Sequence, residues 1–129
     1  MSEKSVKEVN AVLLLDGAAR FNHFIKQVVD SEIAWGLWDD GWALMETDNG
    51  TSVFPLWPAE EYAELNRLGD WAHYQPKSIA LEDLLEQMLP DFAESNILPG
   101  IFPTPTGSGV TPTAEELSSH LRDYDAENF

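Results

Sequence analysis

Apolar positions recur along the chain with helical spacing in some stretches and form short runs between turn signals in others. Residues 17–30 ("GAARFNHFIKQVVD") carry apolar side chains at the spacing of a helix with one buried face. The same spacing runs from Leu81 to Phe92, interrupted by Pro90. Between these two stretches, residues 33–56 form apolar runs bounded by turn residues, which is typical of short strands. The pattern predicts the α+β class.

About five helices are predicted. Ser5 and Glu8 have the spacing of a capping box at the start of the first helix, and Pro58 suits the first position of the third. The last helix begins either at Thr111, before Pro112, or at Thr113, which forms a capping box with Glu116. Its predicted buried face is Ala114, Leu117, Leu121 and Tyr124. The predicted helices cover residues 5–15, 17–30, 58–68, 81–92 and 111–124.

A small, mainly antiparallel sheet is predicted between the second and third helices, as a three-stranded meander with one or two further short strands. Asn49-Gly50 predicts a two-residue type I′ turn. Residues 39–41 predict a three-residue loop with Gly41 in the left-handed conformation. Pro55 has no backbone N–H to donate to a neighbouring strand, so the third strand is expected at a sheet edge, at least near its end. The predicted strands are Ile33–Trp38, Trp42–Thr47 and Thr51–Leu56, with extended segments at residues 78–80 and 97–103.

These two turns set a register that gathers three tryptophans. The first loop places Trp38 opposite Trp42, and the second turn pairs Met45 with Phe54 and Trp42 with Trp57. A two-residue first loop would slip the first strand by one position and mix its two faces. The chosen register therefore predicts Trp38, Trp42 and Trp57 in one row on one face of the sheet.

Length and charge restrict the class of protein. The 129 residues predict a single domain, 1–129, with residues 1–4 and 126–129 frayed. Seven basic and 23 acidic residues give a net charge of −16, which opposes binding to nucleic acids or to anionic membranes. We expect a cytoplasmic protein, a monomer or weak homodimer, whose partner is a basic protein, with no nucleic-acid and no membrane binding.

Signals for cofactor or metal chemistry are weak. The chain contains no cysteine, no glycine-rich phosphate loop and no GxSxG motif. Its three histidines, His23, His73 and His120, are never three or four residues apart. Asp70 with His73, or the aspartates of the hairpin turns, have the chemistry to hold a metal, but turn chemistry is the favoured explanation for them. We therefore expect no catalytic residue, no cofactor and no metal site.

Aromatic residues supply the candidate binding surface. Large amphipathic rings are favoured anchors at protein interfaces. The alternative is a core layer between the sheet and a helix. The candidate partner-binding residues are Trp38, Trp42, Trp57, Tyr62 and Trp71.

Several motifs resemble a family of small bacterial proteins catalogued as domain of unknown function 2750. They are the strand "GWAL", the step "PLWP" into the helix "AEEYA", the following "GDW", the helix "LEDLL" and the segment "IFPTP". The resemblance covers most of the chain and implies an α+β domain without an established activity.

The sequence favours a non-catalytic cytoplasmic domain that binds or regulates another protein through an acidic surface. Two other classes stay open: a hydrolase-like enzyme that uses carboxylates and His73, and an acidic immunity or antitoxin protein that covers a basic toxin.

Overall fold

The first helix of the structure begins at an aspartate cap. The computed structural model describes residues 16–104 and 109–128, so the predicted helix over residues 5–15 lies outside the described residues. Helix α1, Gly17–Ser31, starts where the Oδ1 atom of Asp16 accepts a hydrogen bond from the Ala19 N–H at 2.8 Å. This cap satisfies a backbone donor that the first helical turn leaves unpaired. Of the predicted apolar face, Phe24, Ile25, Val28 and Val29 are buried and Phe21 is partly buried.

Five short strands form two sheets in the described part of the chain, and the α+β class is confirmed. Strand β1 pairs with β4 in antiparallel orientation, whereas β3 lies between β2 (antiparallel) and β5 (parallel). The meander is wrong at its first step, because the ladder partner of β1 is β4 rather than β2. The strands are β1 Ile33–Trp38, β2 Met45–Glu46, β3 Ser52–Leu56, β4 Gln75–Ala80 and β5 Leu98–Ile101.

The second hairpin turn is one residue longer than predicted. Met45 pairs with Val53 instead of Phe54. The Thr47 N–H donates to the Thr51 carbonyl at 2.9 Å, which leaves a three-residue loop over residues 48–50. Gly50 has a φ of 85° and supplies the left-handed residue that this loop type needs. The slip of one position exchanges the faces of the strand, so the predicted pairing of Trp42 with Trp57 is also wrong.

The first loop has the predicted length. Trp38 and Trp42 face each other in a bridge, which confirms the three-residue loop over residues 39–41. Asp40 occupies the left-handed helical conformation with a φ of 57°, and Gly41 follows with a φ of 156°. Aspartate tolerates this conformation better than most residues, so the loop does not need glycine at that position.

Strand β3 is central where an edge strand was predicted. It lies between β2 and β5, but β2 pairs only with Ser52 and Val53. Pro55 lies beyond that short ladder and pairs with Gly100 on the β5 side. A residue without a backbone donor is tolerated there because no β2 carbonyl lies opposite it.

Three further helices complete the described chain. Helix α2 is Glu60–Leu65, so it begins two residues after Pro58 and ends before the predicted Leu68. Helix α3 covers residues 81–95, with a π-helical segment, Leu84–Met88, just before Pro90. Proline has no backbone N–H to donate, and its ring crowds the preceding helical turn. Both effects explain why the helix widens to π-helical geometry just before Pro90. Helix α4 is Ala114–Asn128.

Helix α4 begins with one of the two predicted caps. The Thr113 N–H donates to Glu116 Oε1 at 2.8 Å, and the Glu116 N–H donates to Thr113 Oγ1 at 3.1 Å. This reciprocal pair is the capping box, so the helix starts at Thr113 rather than at Thr111. Of its predicted buried face, Ala114, Leu117 and Leu121 are in the core and Tyr124 is partly buried.

The buried side chains form one core. Helix α2 packs against β1 and β4, whereas α4 packs against α1, α3 and β5. The predicted stripe of α3 contributes Leu81, Leu84, Leu89 and Phe92 to this core. No helix within residues 16–104 and 109–128 has the length and apolar character to cross a membrane.

Candidate tryptophan surface

Two of the five candidate aromatic residues are fully buried. Trp57 and Tyr62 both have no exposed surface. The Nε1–H group of Trp57 donates to the Pro103 carbonyl at 2.8 Å, and the half-buried Trp71 ring meets Trp57 edge-on at 6.3 Å. Tyr62 packs on Phe102 at 4.7 Å. These residues hold helix α2 against the segment that follows β5, and neither Trp57 nor Tyr62 can touch a partner in this state.

Asn66 strengthens the same buried junction. Its Nδ2 atom donates to the Tyr62 carbonyl at 2.8 Å and to the Pro103 carbonyl at 3.3 Å. Asn66 is buried, and a buried amide is tolerated when it is hydrogen-bonded. Sequence reasoning missed this residue because its partner lies 37 positions away along the chain.

The backbone register separates the tryptophans into two groups. Trp35 exchanges both backbone hydrogen bonds with Trp57, at 2.9 and 2.8 Å. Trp38 forms its bridge with Trp42. Because Trp35 and Trp38 are three residues apart in β1, their side chains lie on opposite faces of the strand. The predicted row of three is therefore wrong: Trp38 and Trp42 are neighbours, but Trp57 belongs to the other face.

Trp38 and Trp42 form a half-buried pair. Their ring centroids are 5.0 Å apart with an interplanar angle of 80°, which is an edge-to-face arrangement. Trp42 also contacts the ring of Phe54 at 5.4 Å, and Phe54 contacts Phe92 at 4.9 Å. This chain of rings connects the pair to the core, so the outer tryptophans rest on a packed base.

Gly36 makes room for this packing. A Cβ atom at this position would lie 2.9 Å from Cζ3 of Trp42 and 3.0 Å from its Cε3 atom. The indole therefore lies directly on the backbone of β1, where any larger residue would push it outward.

A cation lies over the pair. Gly36 pairs with Lys77 of β4, and the Nζ atom of Lys77 is 3.8 Å from the Trp38 ring centroid and 5.5 Å from that of Trp42. Both distances fall within the range of cation–π attraction. Sequence reasoning missed Lys77 because the pairing of β1 with β4 was not predicted. Without that pairing, a lysine in an extended segment gives no indication that it lies over a tryptophan ring.

Exposed residues lie close to the two tryptophans in the sequence. Leu44, two residues after Trp42, is 48% exposed. Asp39, Asp40 and Glu46, which lie in the same short segment, are also exposed. We call Trp38, Trp42 and Leu44 the tryptophan surface. The same segment, residues 38–46, carries the three exposed carboxylates.

The candidate hydrolytic residue lies on open surface. The Nε2 atom of His73 is 3.5 Å from Oδ2 of Asp39, with side chains that are 72% and 48% exposed. Solvent at such a pair weakens its electrostatic interaction and gives no exclusion of water. Asp70 is the middle residue of a 3₁₀ turn, Gly69–Trp71, which agrees with a role as a turn residue. Within the described residues, no three histidine or carboxylate side chains come together in a metal-binding group.

Together these features define a small α+β protein with a partly exposed tryptophan pair at one end of β1. The family described as protein of unknown function (DUF2750) matches residues 21–121, and the chain belongs to that family. No curated protein and no solved structure matches the chain.

Proposed function

We propose that this protein is a non-catalytic cytoplasmic domain that binds a basic protein through the tryptophan surface. The observation that carries this proposal is the partly exposed Trp38–Trp42 pair, which lies in one short segment with the exposed Leu44 and three exposed carboxylates. Tryptophans that are already packed from behind lose little conformational freedom on binding, which is the property of an interface anchor.

Charge supports a basic partner. The net charge of −16 accelerates encounter with a cationic protein and repels a phosphate backbone. The exposed carboxylates in the segment of the tryptophan surface also attract cationic groups and repel anionic ones at short range. An immunity or antitoxin protein that covers a basic toxin is one specific form of this proposal. A hydrolase that uses His73 has less support, because the His73–Asp39 contact is open to solvent.

Two of the exposed leucines, Leu44 and Leu68, provide a matched test. Leu44 lies in the tryptophan surface, whereas Leu68, 60% exposed, follows helix α2. The wild-type protein is used as bait in lysate of its source organism at low salt, and the affinity of each identified partner is then measured with purified components. Both Leu44→Asp and Leu68→Asp add one negative charge.

We expect Leu44→Asp to weaken the complex by about ten-fold or more, because it puts a charge into a desolvated contact. Leu68→Asp should change the affinity by less than about three-fold. The complex should also weaken as salt is raised, since charge steering is screened. Equal effects of the two substitutions, or a partner that is acidic or is a nucleic acid, would contradict the proposal.

A further inference from the structure

We infer that the tryptophan surface is a cation-binding site that takes a lysine or arginine side chain of the partner in the place that Lys77 now occupies. This inference rests on the proposed function, since it names the chemistry by which the same surface recognises its partner. It goes beyond charge attraction alone, because it requires one cationic head group to lie over the Trp38 and Trp42 rings.

The geometry of the rings supports this inference. Two indoles at an interplanar angle of 80° form two walls of an open box, and the Lys77 ammonium lies in front of both, at 3.8 and 5.5 Å from their centroids. A site of this kind attracts ammonium and guanidinium groups through the negative charge of the ring faces. The cation already present shows that the space between the walls accepts such a group.

The walls are held in position before any ligand arrives. Gly36 allows Trp42 to lie on β1, and Phe54 supports Trp42 from the core side. The backbone of Trp38 is held in the β1–β4 ladder opposite Gln75, and its ring packs edge-to-face with that of Trp42. A ligand therefore does not need to order the rings, which favours binding by a small head group.

Lys77 can leave the site at little cost. It is exposed on β4, and a cation–π contact at an exposed position is weak. Its four-carbon side chain regains conformational freedom when it is displaced. Asp39 and Asp40, exposed next to Trp38, favour an incoming cation and disfavour an anionic ligand. Lys77 therefore acts as an internal occupant that competes with the partner.

Nuclear magnetic resonance of the indole N–H groups can locate the binding directly. The probe is a blocked peptide of alternating glycine and arginine, with four arginines, titrated into the full chain at low salt. We expect the indole signals of Trp38 and Trp42 to shift progressively with peptide concentration. The Trp57 signal should stay in place, because its N–H is buried and bonded to Pro103.

Two pairs of substitutions separate the ring contact from general charge effects. Lys77→Ala and Lys26→Ala each remove one exposed lysine, but Lys26 lies on α1, in an ion pair with Asp30. Lys77→Ala should bind the peptide about two- to five-fold more tightly than Lys26→Ala, because it empties the site. Trp38→Phe keeps an aromatic face and Trp38→Leu does not, so the leucine variant should bind about two- to five-fold more weakly.

The outcomes distinguish this inference from the proposed function. Equal affinities of the two lysine variants, or peptide binding that leaves the Trp38 and Trp42 signals unmoved, would overturn the cation site. If Leu44→Asp still weakens the partner complex by about ten-fold or more in that case, while Leu68→Asp does not, the proposed function survives. Conversely, indole shifts with the expected variant effects support the cation site. An unchanged partner affinity of Leu44→Asp would then contradict the proposed function alone.

Discussion

Gly36 decides where the ring of Trp42 lies. A Cβ atom there would come within 3.0 Å of two ring carbons, and real contacts of that kind essentially never occur. We therefore expect Gly36→Ala to displace the Trp42 ring and to lower the free energy of unfolding by about 1–3 kcal/mol, as overpacking does. Urea denaturation gives the stability, and the indole N–H signal of Trp42 reports the displacement.

A double-mutant cycle tests whether contact with the Trp42 ring causes the loss of stability in Gly36→Ala. Trp42→Leu removes the ring that the added methyl group would meet, so Gly36→Ala should cost less in that background. A cost that is the same with either residue at position 42 would assign the strain to the backbone of β1 instead.

Trp57 and Trp38 have the same side chain but different roles. Trp57→Phe removes the shorter of the two hydrogen bonds to the buried Pro103 carbonyl, leaving that from Asn66, and creates a cavity, so it should cost about 2–4 kcal/mol of unfolding free energy. Trp38→Phe keeps an aromatic face at a half-buried position and should cost about 1 kcal/mol or less. Urea denaturation of the two variants checks this order. Equal costs would mean that the buried hydrogen bond contributes little.

At the scale of the element, the cap of helix α4 carries a pH dependence. The Thr113 N–H that donates to the Glu116 carboxylate lowers the pKa of Glu116 from its ordinary value of 4.5, the Thr113 hydroxyl acts in the same direction, and His120 adds a Coulombic contribution. A lowered folded-state pKa means that the cap contributes its full stability above the ordinary value. That contribution should disappear as the pH falls through the lowered pKa.

Carboxyl-carbon resonances titrated with pH measure this effect. The midpoint of Glu116 should lie below 4.5 and should move upward in Thr113→Ala, which removes the hydroxyl. Glu116→Gln keeps an acceptor for the Thr113 N–H and should flatten this part of the acid denaturation curve. Glu115→Gln removes the neighbouring charge outside the capping box and is the matched control. A Glu116 midpoint at or above 4.5 would contradict the capping account.

The elements differ in how much the sequence predicts about them. The apolar stripes of α1 and α3 and the capping box of α4 are local patterns, and all three are confirmed. The pairing of β1 with β4 depends on contacts between distant residues, which no local pattern contains. The second hairpin was mispredicted because Asn49-Gly50 fits a two-residue turn as well as a three-residue loop that ends in a left-handed glycine.

In the candidate site, too, the features set by local sequence were predicted and those set by distant strand pairing were not. The loop over residues 39–41 correctly brought Trp38 next to Trp42. Trp57 was misplaced because the second turn set its register. Lys77 enters the site only through the β4 pairing, so it could not be found from local sequence.

At the scale of the whole molecule, net charge opposes compaction. The charge of −16 on 129 residues produces self-repulsion that salt screens. Raising NaCl from about 10 mM to about 150 mM shortens the Debye length from about 30 Å to about 8 Å. We expect the thermal midpoint to rise by about 2–5 °C, as calorimetry can measure.

Neutralisation of exposed carboxylates should reduce that salt response. A variant with Glu86→Gln, Glu94→Gln and Glu127→Gln carries three fewer negative charges at exposed positions. Its midpoint should rise less with salt than that of the wild type. A midpoint that falls as salt is added would show that local ion pairs, such as Lys26–Asp30, outweigh the overall repulsion.

The pairing of early strands with late ones also has a consequence for synthesis on the ribosome. Strand β1 forms its continuous ladder with β4, and the second edge of β3 is paired by β5, which is made after α2, β4 and α3. A nascent chain that ends before Leu98 therefore leaves one edge of β3 open to other chains. We expect a chain halted at Ile97 to be cleaved rapidly by protease while the full chain resists. If the halted chain resisted equally, folding would not await the last strand.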